Sequence, residues 1–168
     1  LDAHNRGLSF HVHVLDSPIE GKGKQLLETL CSRGIKCSYG MLASIGYVIR
    51  ECQLVLLGCS AILSHGCAVA ERGTSQVALV ASASNIPVLV AAQTCKFVDR
   101  VILMQITVLV PLQVQSFLHG VHEVSALVGE RQEAVPAELI TALVTELRIL
   151  PPSSAPAVLK AKQLAVDS

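Results

Sequence analysis

Residues 53–92 read QLVLLGCSAILSHGCAVAERGTSQVALVASASNIPVLVAA, and the fold is decided there. An apolar strand is expected over residues 53–57 and ends at Gly58. A brief strand or turn over residues 61–63 leads to Gly66. Gly73 and Thr74 then open a helix over residues 75–84, with Thr74 as its N-cap. Asn85-Ile86-Pro87 turns the chain into another strand over residues 88–92.

The pattern continues upstream. Residues 10–15 (FHVHVL) alternate and are rich in β-formers, which gives a strand with His11 and His13 on one face. That pair has no signalled carboxylate or thiol partner, so it reads as ordinary sheet residues, and no metal site is expected. Asp16-Ser17-Pro18 breaks the strand. Leu26, Leu27 and Leu30 carry helical spacing over residues 20–32, and Gly34 is the C-cap candidate. A short strand over residues 36–39 and a helix over residues 43–50 complete a strand–helix alternation. That alternation is the signature of βαβ units, so the expected fold class is α/β: a Rossmann-like parallel sheet flanked by helices, in a single domain spanning residues 1–168.

Downstream, residues 101–110 are read as a strand and residues 112–127 as a helix. Residues 136–147 look helical, with Pro136 in the first turn and Leu139, Ile140, Leu143 and Val144 on one side. Pro151-Pro152-Ser153-Ser154 is a break before a last helix over residues 155–165.

Composition agrees with this reading. Of 168 residues, 51% are hydrophobic and 15% charged, enough apolar material for a real core. Aromatics are 3% with no Trp, so the core must be aliphatic, as in covered parallel sheets. Thirteen basic residues balance thirteen acidic ones, and no basic stripe is present to attract nucleic acid. The apolar run over residues 101–110 is too short for a membrane span, which needs about 20 residues. The six cysteines contain no C-x-x-C pair. They read as free, mostly buried thiols of a reducing, cytoplasmic compartment. The chain opens at Leu1 with no signal-peptide pattern, so a piece of a longer protein is expected.

Candidate chemistry is sparse. No G-x-G-x-x-G follows a strand, and Gly21-Lys22-Gly23-Lys24 lacks the spacing of a phosphate loop. It reads as a turn with solvated lysines, although a helix N-terminus beside two lysines suits an anion. Ser60, His65 and Glu71 lie close in sequence without a nucleophile elbow and do not read as a triad. Turns at the carboxyl ends of parallel strands are where α/β folds place ligands. That makes Gly58, Ser60, Gly66, Glu71, Gly73, Thr74 and Lys96 the candidate ligand-pocket residues.

Residues 58–81, with residues 12–28 (VHVLDSPIEGKGKQLLE), Gly34-Ile35 and SASNIPVLV over residues 82–90, resemble one family. It unites the alpha, beta and delta subunits of initiation factor 2B with archaeal and bacterial sugar-phosphate isomerases. The tail over residues 136–160 (PAELITALVTELRILPPSSAPAVLK) looks like the closing segment of the delta-type members, whereas residues 101–120 are poorly matched. The isomerases of this family use an aspartate in a G-A-D motif, paired with a cysteine, to shuttle protons. The aligned positions here are Gly58, Cys59 and Ser60, and a hydroxyl cannot act as a base near neutral pH. The family's lysine before the Gly-Thr pair is replaced, since Ala70 and Glu71 stand there, and Ser17 is followed by Pro18 where arginine is expected. The partner cysteine belongs to a block upstream of Leu1.

The resemblance therefore implies a C-terminal domain that is not an enzyme and needs no cofactor. It implies pairing with the alpha, beta, gamma and epsilon subunits in the guanine-nucleotide exchange complex acting on initiation factor 2. Exchange itself lies in gamma and epsilon, and the family's N-terminal helical domain is absent from this sequence. A homodimer of the isolated chain is a further expectation. Leu147, Ile149, Leu150, Val158 and Leu159 are the interface candidates, with core packing as the alternative. Two other functions stay open: a sensor of a nucleotide or sugar phosphate at the vestigial pocket, and a residual aldose–ketose isomerase. For the sensor, Lys96 or the turn over residues 21–24 would supply the cation.

Overall fold

A computed structural model describes residues 1–17, 21–99 and 132–166. The strand expected over residues 101–110 and the helix over residues 112–127 lie outside them. The chain divides into two compact units, Leu1–Gln53 and Leu54–Ser168.

The first unit is a βαβ element preceded by a short helix. Helix α1 is Asp2–Asn5, strand β1 is His11–Asp16, helix α2 is Lys22–Ser32 and strand β2 is Lys36–Met41. Strands β1 and β2 pair in parallel, from His11 opposite Lys36 to Asp16 opposite Met41. Gly34 ends α2 as the sequence suggests. With φ +74° it lets its own N–H reach the Cys31 carbonyl and the Ile35 N–H reach the Leu30 carbonyl. That bonding is a Schellman motif, which needs the left-handed conformation that glycine adopts without strain. After β2, the segment expected as one helix is a 3-10 turn (Leu42–Ser44), helix α3 (Ile45–Val48) and a second 3-10 turn (Ile49–Glu51). Val14, Ile35, Ile45 and Ile49 are buried, whereas Leu26 of α2 is exposed.

The second unit holds two four-stranded sheets. Its strands are β3 (Val55–Gly58), β4 (Ala61–Leu63), β5 (Ala68–Glu71), β6 (Val88–Ala91), β7 (Phe97–Val98), β8 (Gln132–Val135), β9 (Ala142–Val144) and β10 (Ile149–Leu150). Its helices are α4 (Thr74–Ala83) and α5 (Ala155–Val166). One sheet runs β10-β9-β6-β3, parallel through β3, β6 and β9, with β10 returning antiparallel as a hairpin arm. The other runs β7-β4-β5-β8, where only the β4–β7 pair is parallel. The α/β class stands, but the sheets are mixed, because the glycine turn at Gly66 folds β5 back on β4.

That turn fixes a residue type. Gly66 has φ +88°, and a Cβ there would lie 2.6 Å from the Pro152 carbonyl oxygen. Both the backbone conformation and the space admit glycine alone. Strand β5, not anticipated in the sequence, is small and apolar, with Ala68 and Ala70 buried. Helix α4 buries Ala78 and Ala81, whose small side chains allow close approach. Ile62, Leu63, Val88, Val90, Phe97, Val135 and Leu143 are essentially inaccessible, and burying each contributes about 1.5–3 kcal/mol.

Residues 136–147 correct the sequence reading. They are a 3-10 turn (Ala137–Leu139) followed by strand β9, not a helix. Burial explains it: Leu143 is fully buried and Ile140 nearly so, while Leu139 and Val144 are only half-buried. Strand β9 completes the sheet beside β6 in parallel register, and a helix could not make that ladder.

Candidate functional site

The carboxyl ends of β3 and β6, the β5–α4 turn and the start of β8 gather most of the residues singled out in the sequence. Gly58 closes β3 opposite Ala91. Beyond it Cys59 is buried, and its carbonyl accepts a hydrogen bond from Lys96 Nζ at 2.7 Å. The Lys96 ammonium is therefore directed at the chain's own backbone. Ser60 donates its N–H to the Val69 carbonyl at 2.7 Å, and its hydroxyl donates to the same oxygen at 3.3 Å. That hydroxyl also accepts from Gln132 Nε2 at 2.8 Å. Bound on both sides, the Ser60 hydroxyl links β5 to β8.

Helix α4 begins differently from the sequence expectation. Its N-cap is Gly73 with φ +95°, and no side chain of the cap residue closes the turn. Thr74 is already helical and donates its hydroxyl to the Glu71 carbonyl at 2.6 Å. The capping acceptor comes from β8, where Glu133 Oε1 receives the Gly73 N–H at 2.9 Å, the Ser75 N–H at 2.7 Å and the Ser75 hydroxyl at 2.8 Å. A carboxylate here satisfies free N–H groups and meets the positive end of the helix dipole. These are the donors a phosphate would use at a helix N-terminus, and the chain fills them itself. Glu71 is exposed at the end of β5, opposite Gln132.

Sequence reasoning missed Glu133, because its bonding partners lie about sixty positions earlier in the chain. The first unit repeats the arrangement. Asp16, only 6% exposed at the end of β1, accepts the Gly23 N–H of α2 at 3.0 Å and the Tyr39 hydroxyl at 2.9 Å. A Cβ on Gly23 would stand 2.7 Å from Asp16 Cγ, so the glycine in the lysine-rich turn serves this close contact.

The thiols are free, but the expectation of general burial fails: only Cys59 is buried, and Cys31 and Cys95 are exposed. Burial raises the Cys59 thiol's pKa, opposed by the nearby Lys96 charge. Among the described residues no group of three or more His, Cys, Asp or Glu could hold a metal ion. His11 and His13 lie 4.7 Å apart between ring centroids, and His11 Nε2 is 2.6 Å from Ser38 Oγ. Among the described residues no helix is long and apolar enough to cross a membrane. Of the interface candidates, Leu147 and Ile149 are 74% and 65% exposed, Leu150 and Val158 half-buried, and Leu159 buried in its own unit.

Residues 1–152 match the Initiation factor 2 subunit family. The chain belongs to that family. Over 175 residues it is 31% identical to translation initiation factor eIF2B subunit delta of Schizosaccharomyces pombe, covering 95% of this chain and 38% of that protein. It is equally 31% identical over 156 residues to ribose 1,5-bisphosphate isomerase of Methanocaldococcus jannaschii, covering 91% of this chain and 50% of that one. Among solved structures, the tetrameric eIF2B-beta2-delta2 complex from C. thermophilum matches with TM-score 0.58 and 35% identity, over 61% of this chain and 33% of that one. The chain thus spans half or less of the length of the two curated relatives. The family contains both initiation-factor subunits and an enzyme, so the site must distinguish them.

Proposed function

We propose that this chain is a non-catalytic C-terminal assembly domain, spanning residues 1–168, of an initiation factor 2B-like complex in the cytoplasm. In this reading it pairs with a beta-type subunit, joins alpha, gamma and epsilon subunits, and contributes to guanine-nucleotide exchange on initiation factor 2 without performing the exchange. The observation that carries the reading is Glu133. Its carboxylate occupies the N–H groups of α4 that a sugar phosphate would need, and it would repel such a ligand. Ser60 and Lys96, both held by the chain's own groups, support it further. The exposed pair Leu147 and Ile149 at the β9–β10 hairpin supplies an apolar contact suited to a partner.

The test is solution mass by light scattering across a dilution series, with and without a beta-type subunit, alongside an assay for ribose 1,5-bisphosphate conversion. A mixed complex that is lost in the double variant Leu147→Asp, Ile149→Asp, with no conversion of the sugar, is the expected result. Conversion of the sugar, or a monomer indifferent to the partner, would overturn the proposal.

A further inference from the structure

Away from the site at the carboxyl ends of β3 and β6, the first unit brings two thiols together. Cys31 is the last residue but one of α2, and Cys37 is the second residue of β2. The turn at Gly34 makes the approach. The Gly34 N–H bonds back to the carbonyl of Cys31 itself, and the Ile35 N–H to that of Leu30. The chain therefore enters β2 directly beside the last turn of α2.

Strand alternation then decides which way Cys37 points. Tyr39, two residues on, reaches Asp16, which also holds the Gly23 N–H of α2. Tyr39 is thus on the helix-covered face of β2, and Cys37 shares that face. Ser38 points to the other face, where it meets His11. The Cys37 thiol lies 3.3 Å from the Ile35 carbonyl and in hydrogen-bonding contact with the Cys31 thiol. Access to the two differs. Cys31 is exposed and Cys37 half-buried, so an incoming reagent meets Cys31 first. Burial, followed by the charge and the hydrogen bond of Cys31, raises the Cys37 pKa. The share due to Cys31 ends once that sulfur is oxidised, which favours the Cys37 thiolate.

We propose that Cys31 and Cys37 are a redox-active pair that closes to a disulfide when the chain meets a small disulfide such as oxidised glutathione. The exposed Cys31 thiolate attacks one sulfur of the small disulfide, whose S–S bond breaks and releases one thiolate. The Cys37 thiolate then attacks Cys31 Sγ, forms the Sγ–Sγ bond and expels the second thiolate. The two protons lost by the cysteines end on the two released thiols. The pair is oxidised and the small disulfide reduced. In a reducing compartment such bonds are transient and suit redox sensing. The proposal does not rest on the assembly reading.

The experiment equilibrates the full chain in glutathione buffers of graded redox poise, alkylates the remaining thiols with N-ethylmaleimide, and weighs the tryptic peptides. Trypsin separates the two cysteines because Arg33 and Lys36 lie between them, giving peptides 25–33 and 37–50. The expected product is peptide 25–33 joined to peptide 37–50, released by dithiothreitol, with little glutathione left on Cys31. Cys37→Ser removes the resolving thiol and should raise glutathione on Cys31 by at least about tenfold. Exposed Cys95 should carry the same adduct in both proteins. The link is read in the wild-type chain, so a poorly folded Cys37→Ser leaves the test intact. No link at any poise, a preferred link from Cys31 to another cysteine, or equal glutathione on Cys31 with and without Cys37 would overturn the proposal.

Discussion

Glu133→Ala removes a single acceptor oxygen that serves three donors, and its cost can be worked from the geometry. The Gly73 N–H, the Ser75 N–H and the Ser75 hydroxyl lose their partner at 2.9, 2.7 and 2.8 Å. Loss of a helix cap costs about 1 kcal/mol, and hydrogen bonds to a charged group contribute about 1.5–3 kcal/mol. Gly73, Thr74 and Ser75 are only half-buried, so water can replace part of what is lost. The expected cost is then about 2–3 kcal/mol for alanine. Glu133→Gln keeps an acceptor oxygen and loses the charge, which costs about 1 kcal/mol at a helix N-terminus. The chain has no Trp, so urea unfolding is best followed by far-ultraviolet circular dichroism. With a slope of about 2 kcal/mol/M, the midpoint should fall by about 1–1.5 M for alanine and about 0.5 M for glutamine. Superimposable curves for wild type and Glu133→Ala would refute the cap and weaken the case that the site is closed from within.

Gly66→Ala should destabilise by about 2 kcal/mol or more, since the left-handed conformation and the Pro152 carbonyl both oppose a Cβ; thermal melting reads it. Asp16→Ala should cost about 2–3 kcal/mol and Tyr39→Phe about 1 kcal/mol, because the former strands two donors around a buried position and the latter removes one; denaturant midpoints of both variants check the ratio. The Glu146 carboxyl lies below the usual carboxylate range, chiefly because the Thr94 hydroxyl donates to it. Its stabilising effect is complete above the unfolded-state pKa and is lost as pH falls through the lower folded value, so Glu146→Gln should flatten the acid limb of the stability profile. Cys59 should react with a thiol reagent far more slowly than exposed Cys31 and Cys95, because burial raises its pKa; mass spectrometry of partially labelled protein gives the order.

Much of the scaffold was legible in local signals. Gly34 marked the end of α2, the apolar runs marked β3 and β6, and Pro87 marked the turn between α4 and β6. The resemblance found the family through residues 58–90, and the family match over residues 1–152 upholds it. What failed were features decided by distant partners. Leu139, Ile140, Leu143 and Val144 fit a helical stripe, yet β6 recruits residues 142–144 into a parallel ladder, and periodicity cannot register a neighbour some fifty positions away. Thr74 had the right chemistry for a cap, but Gly73 occupies the cap position and the acceptor arrives from β8. Strand β5 was overlooked because AVAE is short and alanine-rich, and its pairing with both β4 and β8 defines it.

The contact between Gly66 and Pro152 has a consequence for synthesis of the chain. The first unit closes through neighbours: β1, α2 and β2 follow one another directly. The second unit cannot close that way, since β9 must reach back to β6 and residue 152 back to residue 66. At about 5–20 residues per second, ribosomes leave the nascent second unit without β8, β9 and the C-terminal helix for several seconds. During that interval the aliphatic strands around Val88 and Val90 are complete in sequence but lack their covering partner. Chaperone attachment is accordingly expected on ribosomes that have passed β6 and not yet delivered β9, and not on those that have finished the first unit alone.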